Sequence, residues 1–123
     1  MTLLAFLTTT CAPCQQFWGM LADPDARAAL GTKVVVVAPS PSMENRRRAQ
    51  ELTPPGVELH MGSETWFDYA VTQAGTFVLV HDAPDGRPPW EGPAGAAVIG
   101  SAEPASPAEL LDLVARWLSS CGS

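Results

Sequence analysis

Cys11 and Cys14 stand three apart around Ala12-Pro13, and they are two of only three cysteines in the chain. They end the stretch LLAFLTTTCAPC, residues 3–14, in which an apolar run passes through a threonine triplet before the pair. A Cys-x-x-Cys pair carried on a helix puts its sulfurs on neighbouring turns, close enough to bond to one another with little backbone movement. If the helix begins near Cys11, that sulfur faces unpaired backbone N–H groups and the positive end of the helix dipole. Both favour the thiolate, which is the attacking form. Cys14 would lie inside the first turns and be less exposed. Attack on a disulfide then falls to Cys11, and resolution of the mixed disulfide to Cys14. Pro13 is tolerated because first-turn amides have no intrahelical partner to lose. The competing reading is a structural disulfide or two inert thiols. The third cysteine, Cys121, reads as a frayed residue near the C-terminus, open to intermolecular disulfides.

The elements that must position the pair follow from periodicity. Residues 2–7 (TLLAFL) form a nearly continuous apolar run, as suits a strand buried on both faces. Phe17, Trp18, Leu21, Ala26, Ala29 and Leu30 then recur at helical spacing. Pro24 should kink or split that helix, and Gly31 should stop it. Residues 33–38 (KVVVVA) read as a strand, ended by Pro39 and Pro41. Ser42 is the expected N-cap of a helix over 43–52, closed by Thr53-Pro54-Pro55-Gly56. Residues 57–60 (VELH) alternate like a short strand. Ser63 is placed to cap a short helix through Tyr69, with Trp66, Phe67 and Tyr69 as core and staple residues. Residues 76–81 (TFVLVH) read as another buried strand. Residues 82–95 hold four prolines and three glycines and read as a long irregular loop. Its Trp90 would either line a partner surface or pack over the sheet. Residues 96–100 (AAVIG) are the expected last strand, and 107–119 an amphipathic helix opened by Pro107. The element order is β-α-β-α-β-α-β-β-α. Early alternation predicts parallel strands, and the helix-free closing pair predicts antiparallel ones, hence an α/β fold with a mixed sheet.

The totals narrow the function classes. A length of 123 residues fits a single domain over 1–123, and 46% hydrophobic content supports a core without disulfide stapling. A net charge of −6 argues against a nucleic-acid partner, since phosphate binding needs clustered Lys and Arg. The one basic cluster, Arg46-Arg47-Arg48, reads as a solvated helix face, and Lys33 is the sole lysine. No run reaches transmembrane length, and residues 3–7 are too short for the core of a signal peptide. A native start at Met1 would place the chain in the cytoplasm. A first strand with no lead-in fits instead a domain excised from a protein facing the cell envelope. No membrane contact by the domain itself is expected, and the oligomeric state is left open.

Taken together, LLAFLTTTCAPCQQFW, VVVVAPSPS with its following helix, and YAVTQAGTFVLVHDAPDGR (residues 69–87) resemble the thioredoxin-like superfamily, in particular its TlpA-type thiol-disulfide oxidoreductases. The resemblance covers most of the chain. It implies a three-layer fold, a mixed central sheet flanked by helices. It also implies Cys11 as nucleophile, Cys14 as resolving cysteine, no cofactor, and a protein dithiol or disulfide as partner. Substrate contacts would come from Thr10, Pro13, Ala74 and Gly75. Four positions depart from the family pattern. Gly75 stands where a cis-proline faces the pair, with Ala74 before it. Ala5 and Phe17 stand where relatives carry an acid able to serve the resolving cysteine. Thr10 replaces the usual tryptophan before the pair, while Trp18 lies on the following helix and reads as a core aromatic or a substrate contact.

Those departures keep two other classes in play. One is a redox-inactive module of the same fold, holding a partner protein or peptide at the open Gly75 edge. The other is a metal or iron–sulfur site. Two thiolates are half of a four-ligand zinc site, and His60 and His81 are the further candidate ligands.

Overall fold

A computed structural model describes residues 1–12, 14–40, 45–81 and 98–121. Along the chain run β1 (Thr2–Phe6), α1 (Cys14–Ala22), α2 (Pro24–Leu30), β2 (Lys33–Ala38), α3 (Arg46–Leu52), β3 (Glu58–Met61), α4 (Ser63–Asp68), β4 (Thr76–Val80), β5 (Val98–Ala102) and α5 (Pro107–Cys121). The fold is mixed α/β. Its five strands form one sheet in the order β3-β2-β1-β4-β5. β1, β2 and β3 are parallel. β4 runs antiparallel to β1, with Phe6 opposite Thr76 and Thr2 opposite Val80, and β5 runs antiparallel to β4.

The apolar runs explain the two covered faces. Side chains alternate along a strand, so a strand apolar at every position needs cover on both sides. Leu3, Ala5, Val34, Val36, Phe77 and Leu79 turn one way and meet Phe17, Trp18 and Leu21 of α1, Leu30 of α2, and Leu110 and Val114 of α5. Phe17 and Phe77 meet edge to face, ring centres 4.8 Å apart. Leu4, Phe6, Val35, Val37, Val78 and Val80 turn the other way, towards Trp66 and Tyr69 at α4 and Val71 beyond it. Each such side chain contributes roughly 1.5–3 kcal/mol by leaving water. At the edge, Trp117 of α5 lies directly over Gly100 of β5, where a Cβ would overlap the indole. The strand therefore needs glycine for the helix to seat.

Several boundaries differ from the expected ones. The first helix starts at Cys14, not near Cys11, and Asp23-Pro24 splits it into two, Asp23 capping α2 through Asp25 N at 2.9 Å. Ser42 lies outside the described residues, and Asn45 caps α3 by accepting from Arg48 N at 2.9 Å. Ser63 does not cap α4. Gly62 holds that position, and the Ser63 hydroxyl instead accepts from Ser40 N and donates to Ser40 Oγ, tying the ends of β2 and β3. Phe67, expected in the core, is 87% exposed, while Trp66 and Tyr69 do pack inward. The short strand runs 58–61 and β5 reaches Ala102. β4 ends at Val80, leaving His81 exposed. α5 extends to Cys121. Trp90 and most of the Pro/Gly loop lie outside the described residues.

The end of α4 carries a local cost. Val71 N donates to Trp66 O at 2.8 Å and Ala70 N to Phe67 O at 3.0 Å. This is the paired pattern of a Schellman stop, in which one residue turns left-handed, usually glycine. Here that residue is Ala70, at φ 56°. Its Cβ crowds the following carbonyl, whereas Val71 and Trp66 make the apolar contact that accompanies the motif. Ala70→Gly should therefore stabilise the fold by about 0.5–1 kcal/mol, the relief of strain less the extra freedom of an unfolded glycine. Urea denaturation would show this as a raised midpoint at unchanged slope. A lowered midpoint would mean that Ala70 is not strained.

Candidate functional site

Strand direction decides what meets at each end of the sheet. The carboxyl ends of β1, β2, β3 and β5 and the amino end of β4 share one end, because β4 alone runs against the others. Residues 7–12, which leave β1, and Ala74-Gly75, which lead into β4, therefore share one end of the sheet. Gly75 N donates to Phe6 O at 2.7 Å and extends the β1–β4 pairing one step. Cys11 and Ala74 both pack against the first core cluster.

The connector from β1 to α1 is held at several points. Leu7 N donates to Val37 O at 3.2 Å, so the chain leaves the sheet still tied to β2. Trp18, only 3% exposed, donates from its indole Nε1 to Thr8 O at 3.1 Å. Trp18 is thus a core aromatic with a structural bond, not a substrate contact. Gln16 Nε2 reaches across to Ala105 O at 2.8 Å and joins α1 to the segment before α5. That segment carries its own cap. Ser106 Oγ accepts from Glu109 N at 3.2 Å, and Glu109 Oε2 accepts from Ala105 N at 2.9 Å.

On this frame the two cysteines are free thiols in different surroundings. Cys11 is half-buried at the surface, between exposed Thr10 and exposed Ala12. Its sulfur accepts from the amide of Cys14, the first residue of α1, at 3.3 Å. That amide is one of the orphan donors of a helix start, so Cys11 acts as a sulfur cap on α1. Cys14 is fully buried. Burial pushes its thiol from 9.0 up to about 12, with the neighbouring Cys11 raising it further, against Thr8, whose backbone and side chain hold it down. The pair comes within 2.6 Å, so a disulfide needs little movement.

Thr8 is the residue that the sequence leaves unmarked. It is one of three threonines before the pair, and only the turn between β1 and α1 selects it. Its carbonyl is fixed by Trp18 while its amide and hydroxyl serve the Cys14 sulfur. Among the described residues no carboxylate acts on Cys14, and Ala5 and Phe17 stand at the positions considered for one. Pro13 lies outside the described residues.

Gly75 is buried and sits at φ +90°, and among the described residues a Cβ there would meet nothing within 4 Å. Space is not what selects glycine; backbone conformation is. Proline could not take this place, because its ring fixes φ near −65° and removes the N–H that Phe6 O accepts. The described residues contain no cis peptide bond. Among them, no group of three or more His, Cys, Asp or Glu is arranged to hold a metal ion, and His60 Nε2 lies 3.2 Å from Thr65 Oγ1. Among them too, no helix is long and apolar enough to cross a membrane.

The two environments separate the thiols in reactivity. With its pKa near 12 against an ordinary 9.0, Cys14 holds roughly a thousandfold less thiolate at neutral pH than a free thiol. Brief iodoacetamide labelling of the reduced protein at pH 7.5, read by peptide mass spectrometry, should modify Cys11 and spare Cys14. The raised value also makes the reduced fold less stable as pH rises above about 9.0 towards about 12, where the unfolded chain gives up a proton that the folded one keeps. Equal labelling of both cysteines would contradict the described geometry.

No family model, no curated protein and no solved structure matches this chain.

Proposed function

We propose that the chain is a thiol-disulfide oxidoreductase of thioredoxin-like, TlpA-type architecture, working on a protein disulfide or dithiol through Cys11 and Cys14. The observation that carries this reading is the Cys11 sulfur accepting the first helical amide at 3.3 Å, with Cys14 buried behind it. A surface sulfur that accepts a helix-start amide, beside a buried thiol that stays protonated, is the division of roles that sequential exchange uses.

In the reducing direction the Cys11 thiolate attacks one sulfur of a substrate disulfide. A mixed disulfide forms, and the other substrate sulfur leaves as a thiolate. Cys14 then gives up its proton and attacks the Cys11 sulfur. The second substrate thiolate leaves and the Cys11–Cys14 disulfide remains. Two electrons and two protons have passed to the substrate, and the oxidising direction reverses each step. Deprotonating Cys14 is the costly point. Its helpers in this chain are the amide and hydroxyl of Thr8, which stabilise the thiolate as it forms. Thr10, Ala12 and the Ala74-Gly75 turn would frame the approaching substrate, with Pro13 between the cysteines.

A second reading, a redox-inactive binding module of the same architecture, is favoured by two observations. The Gly75 amide is spent on Phe6 O inside the sheet, and no carboxylate among the described residues serves Cys14.

A redox titration separates the two readings. Under the oxidoreductase reading, a Cys121→Ser variant followed by tryptophan fluorescence across glutathione or dithiothreitol ratios should show one reversible two-electron transition between about −120 and −270 mV. Cys11→Ser should abolish it. A pair that stays oxidised far below that range would overturn the catalytic reading in favour of the binding module.

Thr8 gives an independent check on the exchange chemistry. Thr8→Val removes the hydroxyl and keeps the carbonyl that Trp18 uses. It should slow resolution of a preformed mixed disulfide by about tenfold, the effect of one lost hydrogen bond to a charged sulfur. Thr8→Ser should restore the rate. Equal rates in all three proteins would remove Thr8 from the mechanism.

A further inference from the structure

At the opposite end of the sheet, between α2, the start of β2 and the turn before β3, lies a cavity of about 380 Å³. Its wall carries Arg27 and Lys33 and no acidic residue. That is unexpected in a chain with 13 acidic and 7 basic residues, whose single lysine is the one placed here. Among the described residues neither cation forms an ion pair; the ion pairs found there join Arg47 and Arg48 to Glu51 on α3.

Arg27 is held in place. Its Nη1 donates to Pro55 O at 2.7 Å, and Val57 N closes the same turn onto Pro54 O at 3.2 Å. Gly56 at φ +88° forms the turn, and a Cβ there would press to 3.2 Å from Nη1. Arg27 Nε is shut off from water and has no hydrogen-bond partner. The guanidinium is therefore fixed by one neutral carbonyl and left without a counter-charge. Pro24, Val34 and Val57 supply the apolar part of the lining.

We propose that this cavity binds the phosphate group of a small molecule between Arg27 and Lys33. Two separate cations suit a dianion better than a carboxylate. The volume lies in the range of small-ligand pockets, with room for more than a bare ion, so the organic part of the ligand rests on the apolar wall. The site is at the other end of the sheet from the thiols, and it stands whether or not the pair is redox-active.

Titration of the isotope-labelled full chain, followed by amide NMR, tests this with inorganic phosphate and with phenyl phosphate at constant ionic strength. Saturable shifts should appear for residues 24–34 and 54–57. Tighter binding of phenyl phosphate would identify a phosphomonoester as the ligand class, and equal binding would identify phosphate itself; both support the site. Lys33→Gln, which disturbs no bond within the fold, should weaken binding by about tenfold. Arg27→Gln should weaken it further, with circular dichroism confirming that the variant is folded. Shifts that fail to saturate, that sodium chloride reproduces, or that persist unchanged in folded Lys33→Gln would overturn the proposal.

Discussion

The complete burial of β1 is the constraint from which the rest of the structure follows. Leu3, Leu4, Ala5 and Phe6 are fully inaccessible. A strand with no wet face and no free edge must be paired on both sides and covered above and below. β2 and β4 supply the pairing, α1, α2 and α5 one cover, and α4 the other. The chain can leave such a strand only at its end, and it does so as a short connector tied down by Leu7 and Trp18. The cysteines are placed by the core, not by their own contacts.

Much of this was legible because the strands are apolar at consecutive positions. Four valines in a row have no comfortable place except the middle of a sheet, and β2 occupies the residues expected. Pro24 was legible because its ring permits little but a helix start, and Gly31 because it takes the left-handed stop at no steric cost. The misses have physical causes of their own. Nothing in the sequence separates Asn45 from Ser42 as a cap, since both are good caps and the neighbouring prolines obscure where the helix begins. The end of α4 falls where it was expected, with Tyr69 at its C-cap, but the left-handed residue after it was invisible because alanine occupies the position that glycine normally marks. Phe67 was assigned inward on residue type, but its neighbours Trp66 and Tyr69 take the inward face of a short helix. The cap of α5 was readable and overlooked: Ser106 and Glu109 have the spacing of a capping box.

Within the site the pair was legible and its asymmetry only partly so. Spacing says that two sulfurs can meet; it does not say how far each is buried. Cys14 lies among Phe17, Trp18 and Leu21, and the desolvation that this imposes outweighs the help of Thr8. The helix amide falls instead on Cys11. Starting α1 at Cys14 rather than Cys11 is what creates this division. The first free amide then belongs to the second cysteine and points back at the sulfur of the first. A helix begun three residues earlier would have put Cys11 in the first turn and left the amide of Cys14 to be shared with its own backbone.

Gly75 shows how a single dihedral angle can change what a turn is able to do. In the pattern that the chain resembles, a proline at this position has no amide hydrogen, and its ring fills space beside the sulfurs. Here the residue donates to Phe6 O, so the β1–β4 ladder is one bond longer, and among the described residues nothing lies within 4 Å of where a Cβ would stand. The added bond holds the turn against β1. On the oxidoreductase reading, recognition then moves from the turn's own side chains to the exposed surface of Thr10 and Ala12 around Cys11, where contacts are few and shallow. On that reading the helix start is what the Cys11 sulfur meets, and the walls supply little selectivity. Discrimination among partners must then come from surface lying outside the thiol pair.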